Sequence, residues 1–374
     1  MGSIQGQSVL TPRIVESLEG FRQLEPQWTS IVDAGGVHTP YESFAWIDNW
    51  LCHRARGIEP YILVFQDGGT IAPFGKYRVA GLRVLRLLGT GDSDYLGLIS
   101  TLPVAEAWDA LAQELATRRD AWDLLHLHSV RDREVIVTAL DRHIGPGGRH
   151  RPYDTCPWVP TDRPWEDLLA SRKKLRYEVR RWTRRLEAQG SLVLDVVCPP
   201  VPDLLISELE EVERASWKWK SGDAALRPGP QRDFLEAVLR DPRMSFQLWL
   251  LRISAQLIAF ALVLVADNRW YYYLPTFRQA YQNAGSYLLA RIIEQACKSN
   301  CVLVDLLRGP HTYKLEWADS IDTVYEIVSP SNMRGSAAAL AYVAKWRVAQ
   351  NGLLHRLRNR ICDIGDRRQS SPSP

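Results

Sequence analysis

The chain has 374 residues, of which 46% are hydrophobic and 24% charged, globular values that exclude a disordered chain and allow a sizeable buried core in two ordinary domains or one large composite. Its formal net charge of +3 is too small to name a partner, so only the distribution of charge carries information. Six cysteines (Cys52, Cys156, Cys198, Cys297, Cys301, Cys362) show no CxxC pair and no His-spaced ligand pattern, which points to reduced thiols and no metal site.

The first ten residues read as a loose tail without the basic and apolar regions of a signal peptide. The longest apolar run, Leu257 to Ala266, falls short of the ~20 residues a bilayer needs. A cytoplasmic protein is the expectation.

In chain order, Leu18 to Val32 and Ser43 to His53 read as helices, separated by the Gly35-Gly36 turn and the His38-Thr39-Pro40 break. Pro60 to Gln66 and Thr70 to Tyr77 alternate around Asp67-Gly68-Gly69 as a hairpin, and Leu82 to Leu88 is a further strand. Pro103 to Thr117 is a helix with proline in its first turn, where a missing N–H costs little. Trp122 to Ser129 is a strand, Asp132 to Leu140 a helix, and Gly145 to Gly148 a loop.

From Ser171 to Leu186 the chain carries one apolar stripe, Leu175, Val179, Trp182 and Leu186, at helical spacing. Around it stand Arg172, Lys173, Lys174, Arg176, Arg180, Arg181, Arg184 and Arg185, against the single interior carboxylate Glu178. Such a helix is either a solvated face or a surface for an anionic membrane, nucleic acid or carrier phosphates.

Ser191 to Val197 is a strand, Val201 to Trp217 a helix, Lys218 to Pro230 a loop and Phe234 to Leu239 helical. Met244 to Ile253, Gln256 to Ala266 and Arg269 to Phe277 form an antiparallel meander. The meander runs into a βαβ unit: the strand to Phe277, a turn from Arg278 to Ala284, and Gly285-Ser286 opening a helix with Leu288, Leu289, Ile292, Ile293 and Ala296 on one face. Cys301 to Leu307 is the second strand, Arg308-Gly309-Pro310 breaks it, and Tyr313 to Trp317 is a short helix. The N–H groups of Asn283, Ala284, Gly285, Ser286 and Tyr287 form either a phosphate site at a positive helix end or an ordinary capped terminus. Thr323 to Val328 adds a strand. Ala337 to Ile361 is a basic helix with Leu353, Leu354, Leu357 and Ile361 beside Arg356, Arg358 and Arg360, and the tail from Gln369 has a disordered composition.

The runs YYYLPTF (Tyr271 to Phe277), NAGSYLL (Asn283 to Leu289) and VDLLRGPHTYKLEWA (Val304 to Ala318) are the most specific part of the chain. With Trp46, Trp50, Asp94-Tyr95 after Leu88-Gly89, the basic run and Lys218, they resemble the acetyltransferase-like family related to cellulose and exopolysaccharide biosynthesis proteins. That family belongs to the GNAT superfamily of acyl-CoA N-acyltransferases and is similar to the Fem-type aminoacyl transferases in having two GNAT-like halves. Where the family often has an acidic residue ahead of the Tyr-Lys pair, this chain has His311.

The resemblance implies an α/β (α+β) fold of tandem GNAT-like domains, mixed sheets flanked by helices. The division it implies is residues 11–160; 161–335 with the basic helix at 171–187; a basic helix at 336–368; and a tail at 369–374. The first half lacks a phosphate-cradling glycine turn between Ile99 and Pro103 and is expected to be a degenerate, structural or acceptor-shaping copy. The resemblance further implies that a carrier lies between Trp270–Phe277 and Cys301–Leu307, with its pyrophosphate on the Asn283–Tyr287 turn and its thioester carbonyl polarised by backbone N–H groups near Leu274. Tyr313 matches the tyrosine that protonates the departing thiolate, Arg308 and Lys314 are carrier-phosphate or ion-pair candidates, and Trp217, Lys218 and Tyr273 are acceptor-binding candidates. His311 is a candidate base, with Asp305 and Glu326 as rivals.

The expected activity is N-acylation by acyl-CoA or an acyl carrier protein, on a primary amine of an envelope amino sugar, a lipid amine such as a sphingoid base, or a natural product. The expected partners are that small-molecule or lipid-linked amine and, through Arg172 to Arg185, an anionic membrane at its inner face. Two alternatives stand beside it. One is a Fem-type transferase using aminoacyl-tRNA, which alone would bring in nucleic acid; the other is a catalytically inactive scaffold in polysaccharide biosynthesis. No GxSxG elbow, GxxxxGK[ST] loop or HExxH helix competes.

Overall fold

The structure, a computed structural model, describes residues 12–34, 38–65 and 69–350, the last three without side chains. The Gly35-Gly36 turn, Asp67-Gly68, Cys362, both tails and the basic segment from Leu353 to Ile361 lie outside the described residues.

Its strands are β1 (Arg13–Val15), β2 (Glu59–Val64), β3 (Thr70–Val79), β4 (Leu82–Leu87), β5 (Ile99–Ser100), β6 (Leu124–Val130), β7 (Arg149–Pro160), β8 (Leu192–Val197), β9 (Phe246–Ile253), β10 (Gln256–Ala266), β11 (Arg269–Phe277), β12 (Leu303–Asp305) and β13 (Ser320–Pro330). They form one sheet in the order β1-β2-β3-β4-β6-β13-β7-β12-β11-β10-β9-β8, with β5 on β3. The order from each end inward is the same motif. An antiparallel meander (β1 to β4, or β8 to β11) ends in a parallel pair, β4 with β6 and β11 with β12. Parallel neighbours need a crossover, which helices Val104–Thr117 and Ala284–Cys297 supply.

The two copies are laced together. β7, which follows the first motif in sequence, pairs with β12 of the second, and β13 pairs with β6 of the first. β7 and β13 then pair with each other along most of their length. One hydrophobic core also spans both motifs. Trp28, Phe44, Trp46 and Trp50 from the first pack with Leu209, Phe234 and Phe260 from the second. Separate cores lie under helices Lys173–Glu187 and Ala284–Cys297, and under Val104–Thr117 and Arg133–His143. This is the tandem, mixed-sheet α/β fold expected from the resemblance.

Several boundaries differ from those read in the sequence. β7 has no counterpart there, helix Trp217–Ser221 occupies part of the Lys218–Pro230 loop, and the C-terminal helix begins at Met333. No helix among the described residues is long and apolar enough to cross a membrane.

Candidate active site

β11 and β12 pair over three residues only, ending at Tyr271 opposite Asp305. Beyond that point β11 continues to Phe277 while β12 stops, so the two strands open into a fork. A bulge sits in the same place. Leu262 faces Leu274 and Val263 faces Tyr272, so Tyr273 is the extra residue on β11, one before Leu274. The bulge turns Tyr273 and Leu274 together toward the shared core, while Tyr272 packs under helix Ala284–Cys297. On the other prong Leu307 has φ 61°, a left-handed conformation unusual for a branched apolar residue.

Lys314 holds that prong open. Its buried ammonium donates to the carbonyls of Leu307 at 3.2 Å and Arg308 at 2.6 Å, and burial lowers its pKa. The Lys314 ammonium, a carrier-phosphate or ion-pair candidate in the sequence, is thus bonded to backbone at the end of the β12 prong. Arg308 pairs with Asp94 and reaches Ser129 at 3.4 Å, so of its two candidate roles it takes the ion pair. Asp305 accepts from the Tyr95 hydroxyl at 2.7 Å and from Leu307 N–H at 2.7 Å. Burial raises its carboxyl to about 6, tempered by those two bonds. With both oxygens engaged, Asp305 ties the halves together.

The residues 92–95 therefore wall the fork from the first half. Tyr273 hydroxyl approaches the Asp92 carbonyl at 3.4 Å. Its ring makes edge contacts with Trp46 at 5.4 Å and Tyr41 at 6.1 Å, both first-half residues. Asp94-Tyr95 and Trp46 carried part of the family resemblance, yet residue chemistry alone gave no reason to place them at this site. In the first half the equivalent gap is filled by the chain itself, Leu96 N–H donating to Ser129 on β6 at 3.0 Å.

On the outer rim, Lys218 donates to the Pro275 carbonyl at 2.6 Å, fixing its ammonium against β11 just past the bulge. Burial lowers it to about 8, with Glu213 and Asp223 opposing and Lys314 adding to the fall. Tyr313, on the short helix Thr312–Leu315, is 36% exposed, and burial raises its phenol well above the ordinary range. Burial, and the nearby Tyr313 phenol, do the same to Tyr272 across the fork. His311 is exposed and its ring lies nearly parallel to that of Tyr313, 6.0 Å between centroids. Trp217, 48% exposed, opens helix Trp217–Ser221.

At the head of helix Ala284–Cys297 the left-handed residue is Asn283, φ 67°, which makes no side-chain cap. Ala284 N–H is taken by the Tyr281 carbonyl, and Tyr287 N–H by that of Asn283. Gly285 and Ser286, in the same first turn, have no intrahelical acceptor for theirs. Gly285 has a second reason to be glycine: a Cβ there would stand 2.8 Å from the Phe277 ring.

Glu326, a rival base in the sequence reading, lies away from the fork on β13. Its Oε1 takes His126 at 2.8 Å and His128 at 3.1 Å, and its Oε2 takes Arg151 at 2.7 Å. The ligand atoms of this His-His-Glu group lie within 4.8 Å of one another. The carboxylate is held well below its usual range by those partners against the cost of burial. Sequence spacing gave no sign of the cluster, because Glu326 and Arg151 come from strands exchanged between the halves.

Residues 173–315 match the family model for the acetyltransferase (GNAT) domain. No curated protein matches the chain. Among solved structures it is similar to the C-terminal domain of a candidate lysylphosphatidylglycerol synthetase from Agrobacterium fabrum, 14% identical over 86% of this chain and 95% of that one, with a TM-score of 0.57. L-PGS from Bacillus licheniformis is 12% identical over 84% and 94%, TM-score 0.56. FemX is 10% identical over 81% and 95%, TM-score 0.59. At these identities the likeness is one of fold. Residues 173–315, which contain the fork and the helix turn above it, are thus similar to the GNAT acetyltransferase domain, in a chain whose fold is tandem and GNAT-like.

Proposed function

We propose that the chain is an N-acyltransferase that takes an acyl group from acyl-CoA, or from an acyl carrier protein, and passes it to a primary amine at the β11–β12 fork. The observation that carries this is the fork itself, opened by the Tyr273 bulge beneath a helix terminus with free N–H groups and lying within the GNAT acetyltransferase segment. A thioester seated between the prongs would set its carbonyl against backbone N–H groups near Leu274, where the developing oxyanion needs donors.

The amine lone pair attacks the carbonyl carbon, a C–N bond forms, and the electron pair moves to oxygen. Collapse breaks the C–S bond and expels thiolate. Tyr313, kept protonated by its surroundings, supplies the proton to sulfur, and His311 accepts the proton released from nitrogen. The products are an amide and a free thiol. Lys218, Tyr273 and Trp217 are the acceptor-side residues, and the half-exposed Trp217 ring suits an amine with an apolar body, such as a sphingoid base or a lipid-linked amino sugar. A lipid-linked acceptor would place the enzyme at the inner face of the membrane.

The test is turnover of acetyl-CoA and longer acyl-CoAs with a panel of amines, read as free CoA and amide by mass spectrometry. Amide formation that Tyr313→Phe suppresses supports the proposal. Absence of CoA binding together with RNase-sensitive transfer from aminoacyl-tRNA would replace it with a Fem-type donor, and absence of both with a non-catalytic scaffold.

A further inference from the structure

The geometry points to a binding site for one divalent transition-metal ion of the zinc class at the seam between the halves, held by His126, His128 and Glu326.

The seam builds the ligand set strand by strand. His126 and His128 are two apart on β6, so they share one face of the sheet. The register of β6 with β13 slips here. Tyr325 faces Val130 and Ile327 faces Leu127, which leaves His128 and Ser129 opposite Glu326 alone. Ser129 takes the left-handed conformation, φ 56°, at that bulge. Nε2 of both histidines thereby meets one carboxylate oxygen, Oε1 of Glu326, at 2.8 and 3.1 Å. The two nitrogens lie within 4.8 Å of each other. Zinc bonds of about 2.0–2.2 Å set tetrahedral nitrogen and oxygen ligands about 3.3 Å apart, so each contact need open by about half an ångström or less.

Neighbouring side chains hold these three groups from outside. Arg151, opposite Glu326 on β7, takes the other oxygen, Oε2, at 2.7 Å and leaves Oε1 to the cluster. The Tyr342 ring lies 4.5 Å from that of His126, and Tyr153 makes an edge contact with His128 at 4.9 Å. Ligands oriented in this way by hydrogen bonds and packing are what a metal site requires. His126 and Glu326 are buried, whereas the His128 side chain is 21% exposed, so an ion enters and water completes the tetrahedron from that side.

Two imidazole nitrogens with one carboxylate select zinc, cobalt, nickel or copper over magnesium and calcium, which prefer all-oxygen sets. Charge tempers the affinity. Arg151 neutralises Glu326, and Arg86, bonded to the Tyr342 hydroxyl at 3.1 Å, stands near His126 as a second cation. The ion is therefore bound less tightly than in a thiolate site and favours an anion, hydroxide or a carboxylate, as its fourth ligand. Once bound it ties β6 to β13, one of the two exchanged strands, beneath the C-terminal helix that begins at Met333.

The experiment uses the full, untagged chain, stripped with a chelator and then freed of it. Co²⁺ is titrated in and followed by visible absorption, and Zn²⁺ by calorimetry. The parent should take up one ion per chain, develop the d–d bands of four- or five-coordinate Co²⁺, lose them to Zn²⁺, and melt several degrees higher with Zn²⁺ than without. His128→Asn changes the partly exposed ligand; with its fold checked by circular dichroism, it should lose the bands and bind Zn²⁺ at least about tenfold more weakly. Glu326→Gln, nearly isosteric, asks the same of the oxygen ligand. His143→Asn, outside the cluster, should bind as the parent does. A parent without the bands, or without one-to-one uptake of Zn²⁺, overturns the site and leaves a hydrogen-bonded lock only. Bands that survive both ligand substitutions, or that His143→Asn removes, overturn it as well. Mg²⁺ bound as tightly as Zn²⁺ would overturn the class of ion.

Discussion

Tyr313, on the helix after β12, and Lys218, bonded to β11, sit in environments that push both toward their neutral forms. For Tyr313 the neutral form is the proton donor, and the raised pKa keeps it the resting state. Tyr313→Phe keeps the ring against His311 and removes the proton. The turnover rate should fall by about 10²–10⁴-fold with donor affinity unchanged. A loss of threefold or less, measured under saturating donor, would return the ring to a packing role. Lys218 is lowered from 10.5 to about 8, so between those values the unfolded chain binds a proton that the folded chain does not. Stability from this residue therefore rises as pH increases from 8 to 10.5, and the penalty is fully present below 8. Lys218→Met should remove that slope. Denaturant midpoints of parent and variant should converge toward pH 10.5, from a difference on the order of 3 kcal/mol at pH 7 less the loss of the bond to Pro275. Parallel pH curves for the two proteins would mean that Lys218 titrates normally.

At the scale of elements, the helix head over the fork combines two requirements that a sequence does not separate. Asn283 supplies the left-handed residue, whereas Gly285 makes room for Phe277, so the NAGS run both sets the helix head and makes a packing contact. Gly285 is therefore a poor probe of carrier binding, since any Cβ disturbs the strand as well. Ser286→Glu is a cleaner one. A carboxylate in the first turn favours the helix by about 0.3–1 kcal/mol, yet a unit charge about 4 Å from a phosphate costs several kcal/mol at the dielectric of a protein surface. Melting temperature should hold or rise while CoA affinity falls by tenfold or more; retained affinity would move the pyrophosphate elsewhere. The helices, the meander and the βαβ unit were legible because their apolar residues follow periods of 3.6 or 2. β7 was not. Arg149 to Pro160 carries prolines at 152, 157 and 160 and leaves its first residues largely exposed, so it shows neither alternation nor an apolar run. It is a strand because β13 and β12 pair it from both sides, and its register with β13 shifts beside Pro152, where a missing donor is tolerated. The fork was legible as a motif; its first-half wall was not, since Asp94 lies 214 residues from Arg308.

For the molecule as a whole, the exchange of β7 and β13 means that neither half of the sequence contains its own complete sheet. A chain beginning at 161 would leave the free edge of β12 bare where β7 belongs, and would carry β13 without β6 to receive it. It would also expose the second-half side of the shared core, including Phe234 and Tyr273, which meet Trp46 at 5.0 and 5.4 Å. The seam adds a polar lock, since Glu326 on β13 is bonded to His126 on β6 and Arg151 on β7. An open edge beside exposed apolar surface is an aggregation site, and loss of buried partners leaves Glu326 and Arg308 unpaired. Residues 161–350 alone should therefore be insoluble or lack a cooperative transition, whereas co-expression with residues 1–160 should yield a soluble one-to-one complex, because each fragment completes the other's sheet. The full chain should unfold in a single transition by near-ultraviolet circular dichroism and by far-ultraviolet circular dichroism, with coincident midpoints. A sharp independent melt of the 161–350 fragment, or two separated transitions in the full chain, would show that the halves stand on their own and that the exchanged strands only dock.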